Sequence, residues 1–231
     1  MKSFVITITG NKISQTASTK CLNSAKKFCP SIEFEVQDAI VPKRVDASLA
    51  REKIQWNYPW DGEVFCFASG LKKSAYKTVN PKNRIACALS HFYLWKKCLE
   101  SQEPILVLEH DAIFIKTLNP DYIIESKFDI IGINNPLGAT RRARVFHEKI
   151  LQSNNSIIIT PTIDEINIPQ GLAGNSAYVI KPRGARNLID AVYKYGLWPN
   201  DALMCKQIIP NLGVTRDFYT TLQGTPSTTT G

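Results

Sequence analysis

Apolar and polar positions along the chain switch between a two-residue and a helical period. Residues 4–9, Phe4-Val5-Ile6-Thr7-Ile8-Thr9, form a β-branched and aromatic run closed by Gly10-Asn11, which predicts a strand and a turn. Over residues 14–28 the apolar positions Ala17, Cys21, Leu22, Ala25 and Phe28 recur at helical spacing until Pro30 stops them. A second strand is expected at 34–36, followed by a turn at Pro42. A weakly patterned stretch then runs to Asn83, and its Trp56, Tyr58, Trp60 and Tyr76 read either as packing or as the wall of a cleft. The strongest helical pattern spans 85–99, with Ile85, Ala88, Leu89, Phe92, Trp95 and Leu99 on one face. Glu103-Pro104 breaks it, and Ile105-Leu106-Val107-Leu108 follows as a strand expected to be covered on both sides.

Further strands are predicted at 129–133, 156–160 and 177–180. Pro182 opens a helix over 183–195 that Gly196 closes, and Asn200 is placed to cap a last helix with Asp201 in its first turn. Strands alternating with helices define an α/β class with a mostly parallel central sheet. Residues 1–220 read as one domain and 221–231 as a flexible tail with little to bury.

Charge and cysteine usage narrow the chemistry. Of 28 Lys and Arg against 20 acidic residues in 231, the first hundred positions carry 16 basic and 8 acidic, and the rest are balanced at 12 each. Such a field can steer a phosphate-bearing ligand or an anionic surface. Basic residues interleaved with aromatics and a recognition helix are both lacking, which argues against nucleic acid. The six cysteines avoid the close pair spacing of zinc half-sites and read as free thiols of a reducing compartment. No window approaches the run of roughly 18 apolar residues that spans a bilayer, so a cytoplasmic protein is expected, with peripheral membrane contact left open.

Glu109-His110-Asp111 ends the covered strand. A two-residue period puts Glu109 and Asp111 on one side and His110 on the other. At the carboxyl end of a strand in an open α/β sheet, such a pair reaches the crevice where these folds bind ligands. Two carboxylates with substrate phosphates suit magnesium or manganese. By pattern alone the pair reads equally well as the polar margin of a surface loop.

Two segments carry a resemblance. Ala86-Cys87-Ala88-Leu89-Ser90-His91-Phe92-Tyr93-Leu94-Trp95 with Ile105-Leu106-Val107-Leu108-Glu109-His110-Asp111-Ala112, and Gly174-Asn175-Ser176-Ala177-Tyr178-Val179-Ile180 with Gly184-Ala185 and Leu188, resemble the family 25 glycosyltransferases. The resemblance implies a GT-A type, Rossmann-like sandwich. It also implies a divalent ion, Mn2+ or Mg2+, holding the diphosphate of a UDP-sugar donor, typically UDP-galactose or UDP-glucose. Acceptors in such a family are a glycan, a lipid-linked saccharide or a hydroxylated protein. On this likeness Asp111 and Glu109 form the metal motif, with Glu109 also facing the donor. His91 touches the donor phosphates or Asp111, or serves helix packing. Ser90 is a further donor contact, and Thr9, Gly10, Asn11 and Lys12 lie near the uridine.

The resemblance implies inversion at the anomeric carbon, which requires a base at the acceptor hydroxyl, and Trp198-Pro199-Asn200-Asp201 resembles the family's Pro-x-Asp segment, making Asp201 the candidate. An aspartate also suits a helix first turn without any catalysis. Asp164 and Glu165 are the next choices. The chain departs from the family at His110, where an acidic residue is usual, at Arg84, where glutamate is common, and in the loop bearing Lys12 in place of arginine. These departures keep open a sugar-nucleotide-binding protein without efficient transfer. Arg141, Arg142 and Arg144, and Lys181, Arg183 and Arg186, are basic clusters that suit either an anionic ligand or a solvated face.

Overall fold

A computed structural model describes residues 1–139 and 142–225. The chain opens with β1 (Lys2–Thr7), α1 (Lys12–Phe28) and β2 (Phe34–Asp38). The stretch without clear periodicity contains α2 (Val45–Glu52) and a hairpin of β3 (Glu63–Cys66) and β4 (Leu71–Ser74). Then come α3 (Pro81–Ser101), β5 (Ile105–Glu109), β6 (Ala112–Phe114), α4 (Pro120–Ile124), β7 (Ile130–Gly132) and α5 (Ala143–Leu151). The last third holds β8 (Ile157–Ile159), β9 (Ala177–Ile180), α6 (Pro182–Tyr195), α7 (Asn200–Leu203), β10 (Leu212–Thr215) and β11 (Thr220–Leu222).

Seven strands form the central sheet in the order β2-β1-β5-β9-β7-β10-β8. The sheet is mixed and not purely parallel: β2, β1 and β5 run parallel, as do β7 and β10, while β9 is antiparallel to both its neighbours and β8 is antiparallel to β10. Ala177–Ile180 are fully buried, as a strand between two covered faces must be, and a continuous apolar run carries no record of strand direction.

Alternation along β5 splits the core into two. Ile105 and Val107 face the α3 side with Phe92, Trp95 and Leu188, while Leu106 and Leu108 face α1 with Cys21 and Ala25. Asn80 caps α3 by accepting from the Lys82 N–H (3.0 Å), and Pro81 takes the first turn, where it needs no hydrogen bond. Gly184 lets α6 lie close on the sheet: a Cβ there would stand 2.8 Å from the Asp129 carbonyl oxygen.

Three expectations change. Asn200 is the first residue of α7 and not its cap; that position is Pro199, without a side-chain cap. Ordered structure continues beyond position 220, since β11 pairs with β6 and Gln223 donates its N–H to the Asp111 carbonyl (2.9 Å). Only residues 226–231 of the expected tail lie outside the described residues, as does Arg141 of the first basic cluster. Lys181 and Arg183 serve the fold, Lys181 donating to the Ser126 carbonyl and Arg183 pairing with Asp129 (2.7 Å).

Candidate active site

Glu109 is the last residue of β5, in register with Ile6 of β1, and its N–H donates to the Ser176 carbonyl (2.8 Å). The two-residue period gives it the same face as Ile105 and Val107, which is the α3 face. There its Oε1 meets His91 Nε2 at 3.1 Å. His91 is fully buried, with Nδ1 2.9 Å from the Tyr178 hydroxyl, and Trp95 Nε1–H donates to that same oxygen (2.9 Å). One assignment satisfies every group: Trp95 donates to Tyr178, Tyr178 to His91 Nδ1, and His91 Nε2–H to Glu109. Both imidazole nitrogens are spent on this relay.

Glu109 and Asp111 line one cavity of about 420 Å³ at the end of β5, together with His91 and His110. The pair therefore converges, although a turn follows Glu109. Among the described residues, the buried Asp111 Oδ1 has no hydrogen-bond partner. Burial first, and then the Glu109 charge, push the Asp111 carboxyl up to about 7. Burial lowers the pKa of His110. Asn175, buried at 8% exposure, and Ser176 line the same cavity with side-chain polar atoms that have no hydrogen-bond partner among the described residues.

A second cavity, of about 800 Å³, adjoins the first. The two share Arg84, Ala139, Gly174 and Asp201 in their walls. Burial raises the Asp201 carboxyl; Arg84 opposes that shift and Glu109 adds to it, which places Asp201 between opposite charges. The backbone beside it is tight: a Cβ on Gly171 would stand 2.4 Å from the Asp201 carbonyl oxygen. Gln170 shapes the adjoining loop, accepting from the Ile163 (2.8 Å) and Asp164 (3.2 Å) N–H groups and donating to the Glu165 (3.0 Å) and Ile168 (3.1 Å) carbonyls.

Other expected contacts lie elsewhere. Ser90 lines the first cavity, but its hydroxyl donates to the Ala86 carbonyl (2.8 Å) and accepts from the Ile40 N–H (2.9 Å). Thr9, Gly10, Asn11 and Lys12 do not line either cavity. Asn11 caps α1 by accepting from the Ser14 N–H (3.0 Å), and Thr9 bonds to Asp38. Residues 39–42, with Ile40 held by the Ser90 contact, line the first cavity together with Ile6 and Ile8. Asp164 lines the second cavity and pairs with Arg142 (2.7 Å), whereas Glu165 is exposed and lines neither.

Sequence reasoning missed Asn175 and Ser176 as cavity residues, although both lie inside the Gly174 segment. It also missed Gln223, whose amide donates to the carbonyls of Ala17 (2.9 Å), His110 (3.3 Å) and Ala112 (3.2 Å), and no local signal marks it.

Among the described residues, the ligand atoms of Cys87, His91 and Glu109 lie within 4.8 Å of one another, a candidate metal-holding cluster that excludes Asp111. Burial raises the Cys87 thiol well above its ordinary value, so it remains protonated, and His91 is already committed at both nitrogens. The hard oxygens of Glu109 and the orphaned Asp111 suit a divalent cation with phosphate ligands better than this thiol and imidazole do.

An α/β sandwich with an acidic pair at the end of a central strand, opening on a cavity, fits the GT-A type of nucleotide-sugar transferase. The profile of Glycosyltransferase family 25 (LPS biosynthesis protein) matches residues 1–204, and the chain belongs to that family. It is a glycosyltransferase using sugar-nucleotide donors. No curated protein matches it in sequence. Among solved structures it is similar to an active-site mutant of LgtC, at 10% identity over 98% of this chain and 88% of that one, with a TM-score of 0.45. It is also similar to the inositol-1-phosphate CTP transferase from T. maritima, at 15% identity over 98% and 90%, with a TM-score of 0.48. No described helix is long and apolar enough to cross a membrane.

Proposed function

We propose that the protein transfers a hexose, galactose or glucose, from a UDP-sugar to a hydroxyl of a glycan, lipid-linked saccharide or hydroxylated protein, with inversion at the anomeric carbon. The donor occupies the first cavity, its nucleoside against Ile8 and residues 39–42 and its diphosphate toward Asp111 and Glu109. The observation that carries this reading is the buried Asp111 Oδ1 without a protein partner, beside a second carboxylate in a cavity of about 420 Å³. Left unsatisfied, such an atom is costly, and a ligand or cation is its natural partner.

Asp111 and Glu109 would hold a divalent ion, manganese or magnesium; when bound, it neutralises charge on the departing diphosphate. His91 does not touch the donor in this scheme. Through the Tyr178 and Trp95 relay it fixes the orientation of the Glu109 carboxylate. Ser90 acts through structure, fixing residues 39–42 on α3. Asn175 and Ser176 supply hydrogen bonds to the sugar or its phosphates.

Asp201, at the junction of the two cavities, takes the proton from the acceptor hydroxyl as its oxygen bonds to the anomeric carbon. The anomeric C–O bond to UDP breaks, and its electron pair leaves with the diphosphate. Burial raises the Asp201 carboxyl, the direction that strengthens a carboxylate as a base near neutral pH. Cytoplasmic action on lipopolysaccharide precursors fits the family description and the absence of a membrane-crossing helix among the described residues.

Calorimetry with UDP, with and without MnCl2, followed by transfer assays, tests the proposal. UDP should bind more tightly with manganese in the wild type, and Asp111→Asn should erase that gain. A gain that survives the substitution contradicts the proposed ligand role.

A further inference from the structure

We propose that the acceptor bears an anionic substituent, a carboxylate or a phosphate group, which Arg84 and Lys77 recognise in the second cavity. The inference rests on the transferase reading and names the acceptor class for it.

The placement of the Arg84 guanidinium carries the argument. Its Nε donates to Thr78 Oγ1 (2.8 Å), its Nη2 donates to the Lys77 carbonyl (3.1 Å), and its carbon lies 5.0 Å from the centre of the Tyr76 ring. Tyr76 and Lys77 line the second cavity and not the first. Three contacts thus fix the charge at the wall of the second cavity, on the border it shares with the first. Two N–H groups are spent, and the remaining three are available to a planar or tetrahedral anion.

The local charge balance points the same way. Among the described residues neither Arg84 nor Lys77 forms an ion pair, whereas Lys82 and Lys96 nearby on α3 pair with Asp46 (2.6 Å) and Glu52 (2.7 Å). Of the two carboxylates lining the second cavity, Asp164 is matched by Arg142 (2.7 Å) and Asp201 stands at the junction with the first. Lys77 is exposed and extends the cationic wall outward from Arg84. An acceptor with its hydroxyl at Asp201 therefore meets two cations that form no direct ion pair among the described residues, Arg84 acting on Asp201 only through its field. A negative group close to the attacked hydroxyl satisfies both; a neutral sugar satisfies neither.

Saturation-transfer NMR and calorimetry, with UDP and MnCl2 present at fixed ionic strength, test this on matched probes: glucose, glucuronate and glucose 6-phosphate, and galactose, galacturonate and galactose 6-phosphate. At least one anionic probe should bind about tenfold more tightly than its neutral parent, the scale of one charge-assisted hydrogen bond. Whether the uronates or the phosphates gain identifies the natural group. Arg84→Gln and Lys77→Gln should each remove most of that gain without weakening the neutral sugar, and Arg84→Lys should restore part of it.

Equal binding of neutral and anionic probes, or discrimination that survives in the Arg84→Gln/Lys77→Gln double variant, overturns the inference. So does an Arg84→Gln variant that loses UDP affinity while keeping the sugar discrimination, because Arg84 would then serve the donor. Lys77 is exposed, so its variant decides the matter even if substituting Arg84 disturbs folding. UDP binding on the same samples reads the donor proposal separately; if it fails, the probe series repeated without nucleotide still decides this one.

Discussion

The two cavities that meet at Arg84 and Asp201 differ in charge balance and in construction. The first is built from the ends of regular elements, β1, β5 and α3, and presents two carboxylates, one held by a buried relay and one left without a partner. The second is walled largely by loops, residues 74–77 and 163–174, and presents Arg84 and Lys77. The contrast teaches how a single sheet edge can order two substrates. On the proposed reading, a cation-bound diphosphate is favoured beside Glu109 and Asp111 and an anionic acceptor beside Arg84 and Lys77.

The sharpest break in this comparison is at the junction. Asp201→Asn should lower transfer by about 10²–10⁴-fold, the usual range for a general base, while UDP and manganese still bind. Steady-state rates alongside calorimetry check this. The base must be ionised and burial raises its pKa, so the wild-type rate should fall with acid at a pH above the ordinary aspartate range. A rate limb at the ordinary aspartate position argues against Asp201 as the base.

Asp111→Asn acts on the acidic side alone, with about 10²-fold loss of manganese-dependent UDP affinity expected and little change without metal. In the metal-free protein the sign reverses. A carboxyl raised from 3.8 to about 7 favours the fold fully below the unfolded value, and that contribution is lost as pH rises through about 7. Removing the charge should therefore stabilise the metal-free protein at pH 8 by about 1–2 kcal/mol, an advantage that shrinks toward pH 4. Thermal melts across pH, with and without manganese, measure both halves.

Tyr178→Phe removes the hydroxyl shared by Trp95 and His91 and leaves two buried groups unpaired, at a cost of about 1–3 kcal/mol in stability. Manganese-dependent UDP affinity should weaken by less than in Asp111→Asn, because Glu109 loses its orientation but not its charge. Gln223→Ala should have the smallest effect. It frees the segment after β5 from two carbonyl contacts and breaks a third to Ala17 of α1, costing about 1 kcal/mol and a few-fold in metal affinity. If Gln223→Ala weakened binding as much as Asp111→Asn, the acidic side would depend on the segment after β11 more than on β5.

The legibility of the molecule follows the same division. The 85–99 pattern gave α3, the covered run gave β5, and period two carried Glu109 onto the α3 face where His91 waits, because these are local regularities with a fixed geometric meaning. Thr9, Gly10, Asn11 and Lys12 are expected at the nucleotide, yet they close the β1–α1 turn and line neither cavity, whereas residues 39–42 line the first. That exchange depends on the long-range bond from Ile40 to Ser90, which no window in either segment contains. The hairpin of β3 and β4 escaped notice because its alternation is short and Lys73, only 2% exposed, faces inward, donating to the Asn57 carbonyl (2.7 Å) and lying 4.9 Å from the centre of the Trp198 ring.

By itself the sequence determined that this chain is an α/β protein carrying a strand-end acidic pair and the segments of its family, since hydrophobic period and motif spacing are properties of neighbouring residues. Only the tertiary structure decided that β9 runs antiparallel, that His91 spends both nitrogens inside the protein, that residues past 220 hold the acidic turn, and that Arg84 faces a second cavity. Strand direction, hydrogen-bond partners and the side of a wall on which a charge lies are set by contacts between residues far apart in the chain, and local pattern does not encode them.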